Sequence, residues 1–329
     1  MIAHEKASSV LTVPRAEPRS SRTMALLPTA WVPYAQLMRI DRPAGLYAFY
    51  VPYLTGLAYG ASISEVTPLP STIVLHATYL LLVCVILRGS TCAFNDNIDQ
   101  DFDRAVDRCK GRPIARGAVT TLQGHVFTLV LAALGYILLH IWPTDCLQDM
   151  AWIFVLFLIY PFGKRFTHYP QLILGFPFAG GIIFACHAVE VDPFSGYSLS
   201  ATFCLCTANI LWTMIYDTIY AHQDLKDDIR AGVKSMAVRF QHSTKLIASI
   251  LGLVQVGLLI KAGHDLGMSV GYYVLTCGGT AVSLKYLIFV VNLDEPASCA
   301  WFFRMNFWLV GGSMVGGFLM EYINKYWRV

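Results

Sequence analysis

This sequence has little charge. Only 14% of its 329 residues are Asp, Glu, Lys or Arg, against 56% hydrophobic, and the mean hydropathy is +0.53. Soluble domains carry about 25% charged residues, so composition alone excludes one. The sequence also lacks any CxxC pair. Of its nine cysteines, Cys84, Cys92, Cys186, Cys204, Cys206 and Cys277 sit in or beside apolar runs. A disulfide scaffold is therefore excluded, and the thiols read as small packing residues in a reducing setting. The D-G-x-x-A-R pattern of phospholipid head-group transferases is absent. Residues 1–30 hold no apolar run long enough for a secretory signal. They include Pro14, Pro18, Pro28 and several Ser, and Glu5 and Glu17 stand among their Lys and Arg, which argues against a mitochondrial presequence. Residues 1–34 are expected to be a disordered cytosolic leader, and residues 35–329 one membrane domain.

What the sequence does have is apolar runs of membrane-spanning length. They fall at 43–61, 72–94, 120–141, 149–163, 170–189, 199–221, 244–263, 268–291 and 304–323, the fourth being short. The expected fold is all-α: a bundle of nine transmembrane helices around a central cavity that opens near the cytosolic face. With nine spans, the segment before the first and the loops after the second, fourth, sixth and eighth share one side. That side holds nineteen of the 24 Lys and Arg. The positive-inside rule makes it cytosolic in the endoplasmic reticulum or another endomembrane, or matrix-facing in a mitochondrial inner membrane.

Two acidic clusters stand out against this apolar background. Asp96 to Arg116 contains five Asp and five Lys or Arg directly after the second apolar run. If that helix continues through Asp103, Asn95, Asp96, Asp99 and Asp103 occupy one stripe about 100° wide. Like charges on one helical face repel, and a divalent cation removes that penalty. Carboxylate and amide oxygens suit Mg²⁺, which binds through a few carboxylates, waters and substrate phosphates. The plainer reading is a solvated acidic helix end. The second cluster, at the same membrane face after the sixth run, places Asp217, Asp224 and Asp228 on one helical face and turns Asp227 elsewhere.

Lys164 and Arg165 emerge between the two clusters, as topogenic charges or as a clamp for a phosphate-bearing anion. Arg88 lies inside the second span on the stripe of Asn95. A membrane-buried Arg calls for a cavity and a partner, either a substrate group or a structural ion pair. Paired acidic clusters with basic neighbours suit ionisation of an allylic diphosphate, whose tail an intramembrane pocket would hold away from water.

These residues also carry a resemblance. N-D-x-x-D-x-x-x-D at Asn95 to Asp103, R-C-K-G-R-P at Arg108 to Pro113, Y-P-F-G-K-R-F-T-H-Y-P-Q from Tyr160, D-T-I-Y-A-H-Q-D-L-K-D-D from Asp217, and D-R-P-A-G at Asp41 to Gly45 are together similar to the UbiA superfamily of intramembrane aromatic prenyltransferases. The resemblance implies Mg²⁺-dependent transfer of a prenyl chain from its diphosphate to an aromatic carbon. It assigns Asn95, Asp99, Asp103, Asp224 and Asp228 to Mg²⁺ and the diphosphate, with Asp96 and Asp217 in support. Lys164, Arg165, Arg108 and Arg112 would clamp diphosphate oxygens, and Arg88 would orient the acceptor. The family's R-T-x-x-R-P has Cys109 in place of its Thr here. The nearest branches are fungal enzymes that prenylate polyketide phenols in meroterpenoid synthesis, with farnesyl diphosphate as the implied donor, and 4-hydroxybenzoate polyprenyltransferases of ubiquinone synthesis. The expected partners are a prenyl diphosphate, a phenolic acceptor and the lipid bilayer, with no nucleic acid. The non-enzyme alternative, an ion-coupled transporter, requires carboxylates near mid-span rather than at helix ends.

Overall fold

Helix ends are marked by local chemistry in this chain. In the computed structural model, which describes residues 24–328, Pro occupies the first helical position of three helices, where its missing N–H costs nothing. Thr120 and Gln123 form a reciprocal capping box at the start of another. The elements are α1 (Val32–Leu37), α2 (Ala44–Ile63), α3 (Pro70–Ile98), α4 (Gln100–Ala105), α5 (Thr121–Leu139), α6 (Thr144–Phe166), α7 (Pro170–Ala188), α8 (Leu199–Ala221), α9 (Leu225–Ala231), α10 (Met236–Phe240), α11 (Thr244–Asp265) and α12 (Val270–Val290). The last two, α13 (Pro296–Asn306) and α14 (Gly312–Tyr326), are joined by a π turn at Phe307–Gly311. No strand occurs among the described residues.

Among the described residues, seven helices are long and apolar enough to cross a membrane: α3, α5, α6, α7, α8 continued through α9, α10 continued into α11, and α12. The fourth run, short in the sequence, becomes the 23-residue α6 because polar residues at both ends stay helical. The first and ninth expected spans fall outside the seven. Helix α2 is diluted by four Tyr and by Pro52, and α13 and α14 by Arg304, Asn306 and several Gly. Of the expected leader, residues 1–23 lie outside the described residues. Its remainder carries a short 3₁₀ turn with Met24 buried, and the expected boundary at residue 34 falls inside α1.

Helices α2, α3, α6, α7, α8, α11, α12 and α14 pack in a closed sequence, with α2 and α7 also touching across it and α5 lying outside α3. Helices α2 and α7 approach closely. A Cβ on Gly56 would stand 2.4 Å from the backbone oxygen of Ile182, so only glycine allows that crossing. Side chains such as Leu75, Val126, Leu129, Leu253, Val282 and Phe289 are exposed on the outer surface. An apolar exterior of this extent belongs in lipid.

Candidate active site

At the end of the bundle where α3 and α8 terminate, a cavity of about 810 Å³ opens among α2, α3, α6, α7, α8 and α13. The two acidic clusters face each other across it. Helix α3 bends at Asp99 (φ −90°, ψ 4°) before α4, and a 3₁₀ turn at His222–Asp224 separates α8 from α9. The continuous helices assumed from the sequence are therefore interrupted. Hydrogen bonds from Asp99 N to Asn95 O and from Asp103 N to Asp99 O, both 2.8 Å, nevertheless keep the helical spacing. Asn95, Asp99 and Asp103 accordingly line one wall, and Asp217, Asp224 and Asp228 the other.

Asp99, Asp103 and Asp224 are each met by a base. Lys164 Nζ stands 2.5 Å from Asp99 Oδ2 and lies over the ring of Tyr160. Arg108 reaches across the mouth to Asp224, with Nε 2.8 Å from Oδ1 and a further bond from Nη2 to Oδ2. Its Nη1 donates to Tyr220 Oη at 3.1 Å. Arg112 Nη1 donates to both oxygens of Asp103 at 2.9 Å. Burial, opposed by Arg112 and reinforced by Asp96, pushes the Asp103 carboxyl up to about 6.

Two expected site residues stand elsewhere. Asp96 faces away from the cavity, fully buried, and accepts from Arg39 at 2.5 Å and from Arg112 at 3.2 Å. The one-step offset from Asn95 rotates it behind the wall, where it holds two arginines. Arg165 does not line the cavity. Its Nη2 donates to Ile98 O at 2.6 Å, its guanidinium lies over Phe102, and Asp99 is 3.9 Å from Nη1. It caps the end of α3, whose last carbonyls lack helical partners. Asp227, expected to turn away, accepts from Asp107 N at 3.0 Å and so ties the α4–α5 loop to α9.

Arg88 lines the cavity as expected, but its guanidinium is engaged. Nη2 donates to Arg42 O at 2.6 Å and Nη1 to Arg39 O at 3.3 Å, so it braces the turn that carries Asp41 to Gly45. A Cβ at Gly45 would stand 2.8 Å from Arg88 Nη2 and would displace the guanidinium. Residues not singled out from the sequence also line the cavity, among them Arg42, Tyr160, Gln171, Tyr216, Tyr220 and Arg304. Arg304 counts in the sequence only among the nineteen basic residues of one membrane face. The tyrosines carry no signal in a sequence with 17 of them.

Among the described residues, no three His, Cys, Asp or Glu side chains converge tightly enough to hold a metal ion by themselves. The seven-residue ligand set expected from the sequence is not gathered at one point, because Lys164, Arg108 and Arg112 stand between its members. The donor chemistry still fits a hard cation. Asn95 Oδ1 and Asp99 Oδ1 are buried oxygens without a hydrogen-bond partner, both on residues of the cavity wall.

The profile of the UbiA prenyltransferase family matches residues 49–310. The chain belongs to that family. Among its UbiA relatives, the prenyltransferase ascA of Acremonium egyptiacum is 37% identical over 94% of this chain and 91% of that one. The DMOA farnesyltransferase nvfB of Aspergillus novofumigatus is 35% identical over 88% and 93%. Solved structures share the fold. A UbiA homologue from Aeropyrum pernix K1 superposes with a TM-score of 0.65 at 21% identity, covering 82% of this chain and 97% of that one. One from Archaeoglobus fulgidus, bound to DMAPP and Mg²⁺, gives 0.64 at 15% identity, covering 88% and 99%. This UbiA protein is a multi-pass membrane prenyltransferase.

Proposed function

We propose that this enzyme transfers a farnesyl group from farnesyl diphosphate to a ring carbon of a phenolic, polyketide-derived acid, as a step of meroterpenoid synthesis. The observation that carries this reading is the facing pair of acidic walls with basic side chains between them, above a cavity that turns aromatic with depth. A diphosphate suits the first region and an isoprenoid the second. The similarity to a protein named as a farnesyltransferase supports the donor.

Asn95, Asp99, Asp103, Asp217, Asp224 and Asp228 would hold Mg²⁺, which when bound neutralises the diphosphate and makes it a better leaving group. Asp96 sits outside that set and stabilises it by fixing Arg112. Lys164, Arg108 and Arg112 lie within reach of the same space and bind diphosphate oxygens by charge-assisted hydrogen bonds. Tyr160, Tyr216, Tyr220 and Phe303 line the cavity beside these groups. Their ring faces stabilise an allylic cation and exclude the water that would quench it. Attack by the ring carbon next to an activated hydroxyl, followed by loss of the ring proton, completes the substitution. Arg88, Arg42 and Arg304 also line the cavity and suit the acceptor's carboxylate.

Nine crossings belong to this reading, the first and last made by helices of sufficient length. Helix α2 has 20 residues, about 30 Å, and α13 to α14 with their π turn have a longer reach still. The distribution of Lys and Arg supports a cavity mouth on the cytosolic side of an endomembrane.

The test is transfer by a membrane fraction supplied with Mg²⁺, radiolabelled farnesyl diphosphate, and either an orsellinic-type acid or 4-hydroxybenzoate. EDTA-sensitive labelling of the orsellinic acceptor is expected. Labelling of 4-hydroxybenzoate alone, with longer donors, would reassign the enzyme to ubiquinone synthesis.

A further inference from the structure

The cavity is not uniform along its depth, and three helices change character at the same level. On α6, Lys164, Tyr160 and Phe157 form one stripe, seven residues from base to ring. On α7 the stripe runs from Gln171 through Leu174 to Phe178, and on α2 from Gly45 to Phe49. The deepest lining residue of each helix is a phenylalanine. The three rings pack on one another, with centroids 5.0 Å apart for Phe49 and Phe157, 5.1 Å for Phe49 and Phe178, and 5.3 Å for Phe157 and Phe178. All three are at least nine-tenths buried, and the next turn below Phe49 brings Tyr53, itself 2% exposed. The rings therefore close the apolar end of the cavity.

We infer that Phe49, Phe157 and Phe178 form a floor that sets the longest prenyl chain the enzyme accepts. The inference rests on the transferase reading above, and it names the residues that set the donor's length. Polarity decides which way the tail runs. The α6 wall grades from charged to aromatic and the α7 wall from polar to aromatic, as a prenyl diphosphate does from head to tail, whereas α3, the turn before α2 and α13 contribute Arg88, Arg42 and Arg304. Seven residues of α-helix, from Lys164 to Phe157, span about 10 Å. An isoprenoid unit contributes four chain bonds of about 1.5 Å and advances roughly 5 Å when zigzagged. Two extended units fill that depth, so the third unit of a farnesyl chain must fold against the rings. A fourth has no space unless a ring is removed.

The experiment compares kcat/KM for geranyl, farnesyl and geranylgeranyl diphosphates with one acceptor, in the wild type and in Phe157→Ala, Phe178→Leu and Phe157→Trp. Pocket size discriminates by about tenfold or more per added group. The first two variants are expected to raise the geranylgeranyl-to-farnesyl ratio at least about tenfold. Phe157→Trp is expected to lower the farnesyl-to-geranyl ratio by a similar factor, and it keeps the core filled should the smaller variants fail to fold. Unchanged ratios in variants that still transfer a prenyl group would overturn the floor and mean that the tail leaves by another route. A wild type that transfers none of the three donors would instead overturn the transferase reading itself.

Discussion

Asp96 and Asp99 are three residues apart and chemically identical, yet they should fail in different ways. Asp96→Asn removes the negative charge between Arg39 and Arg112, whose side chains are only 13% and 15% exposed. Breaking a buried pair costs about 3–5 kcal/mol because the surviving charge is stranded. Arg112 keeps Asp103, so the lower end, about 3 kcal/mol, is expected here. A kilocalorie lowers Tm by about 2 °C in a chain of this size, giving a loss of roughly 6 °C. Asp99→Asn also breaks a little-exposed pair, with Asp99 at 2% and Lys164 at 22%, so its cost is expected at that same lower end or below it, and the Mg²⁺ response rather than Tm separates the two variants. The assay is suited to this molecule, since seven of nine free thiols are buried and a thiol-reactive dye reports unfolding in detergent. Magnesium titration of transfer supplies the second readout. Asp96→Asn should keep its half-activating Mg²⁺ concentration within about twofold, and Asp99→Asn should lose Mg²⁺ activation. An unchanged Tm in Asp96→Asn together with a lost Mg²⁺ response would refute the assignment of Asp96 to the scaffold.

Asp224→Ala should abolish transfer and leave the protein folded and membrane-inserted; near-normal turnover would sink the second acidic wall as part of the site. Gly45→Ala should push the Arg88 guanidinium off Arg42 O, raising acceptor KM about as much as Arg88→Ala does, with the donor KM within twofold. A matching rise in donor KM would place Arg88 at the diphosphate instead. Gly56→Ala, whose Cβ meets backbone of α7 rather than a flexible side chain, should cost about 3 kcal/mol, the upper end for overpacking. Thermal unfolding measures it, and wild-type stability would show that α2 and α7 can separate. Chelation by EDTA should stop transfer reversibly without unfolding the protein, and failure of added Mg²⁺ to restore it would remove the metal from the mechanism.

Hydropathy made the membrane class legible, because lipid forces every backbone polar group into helix and leaves runs that composition alone reveals. Spacing made the two acidic clusters legible as well. Asn95, Asp99 and Asp103 lie four residues apart, and that interval survives the bend at Asp99 because the i to i−4 bonds persist through it. Spacing failed where a single residue's rotation mattered. Asp96 sits within the stripe by angle and behind the wall in fact, and Arg165 emerges beside Lys164 yet serves the end of α3. The pairing of Arg108 with Asp224, 116 residues away, had no local trace at all.

The sequence by itself determined that the chain crosses a membrane as helices, and that two acidic clusters and their bases gather at one face, because hydrophobicity and charge act through local periodicity. Only the tertiary structure decided which carboxylate faces the cavity and which faces an arginine behind it. It also decided that three phenylalanines from α2, α6 and α7 meet at one depth. Those facts depend on how helices remote in sequence are rotated against one another, and packing at contacts such as Gly56 on Ile182 sets that rotation.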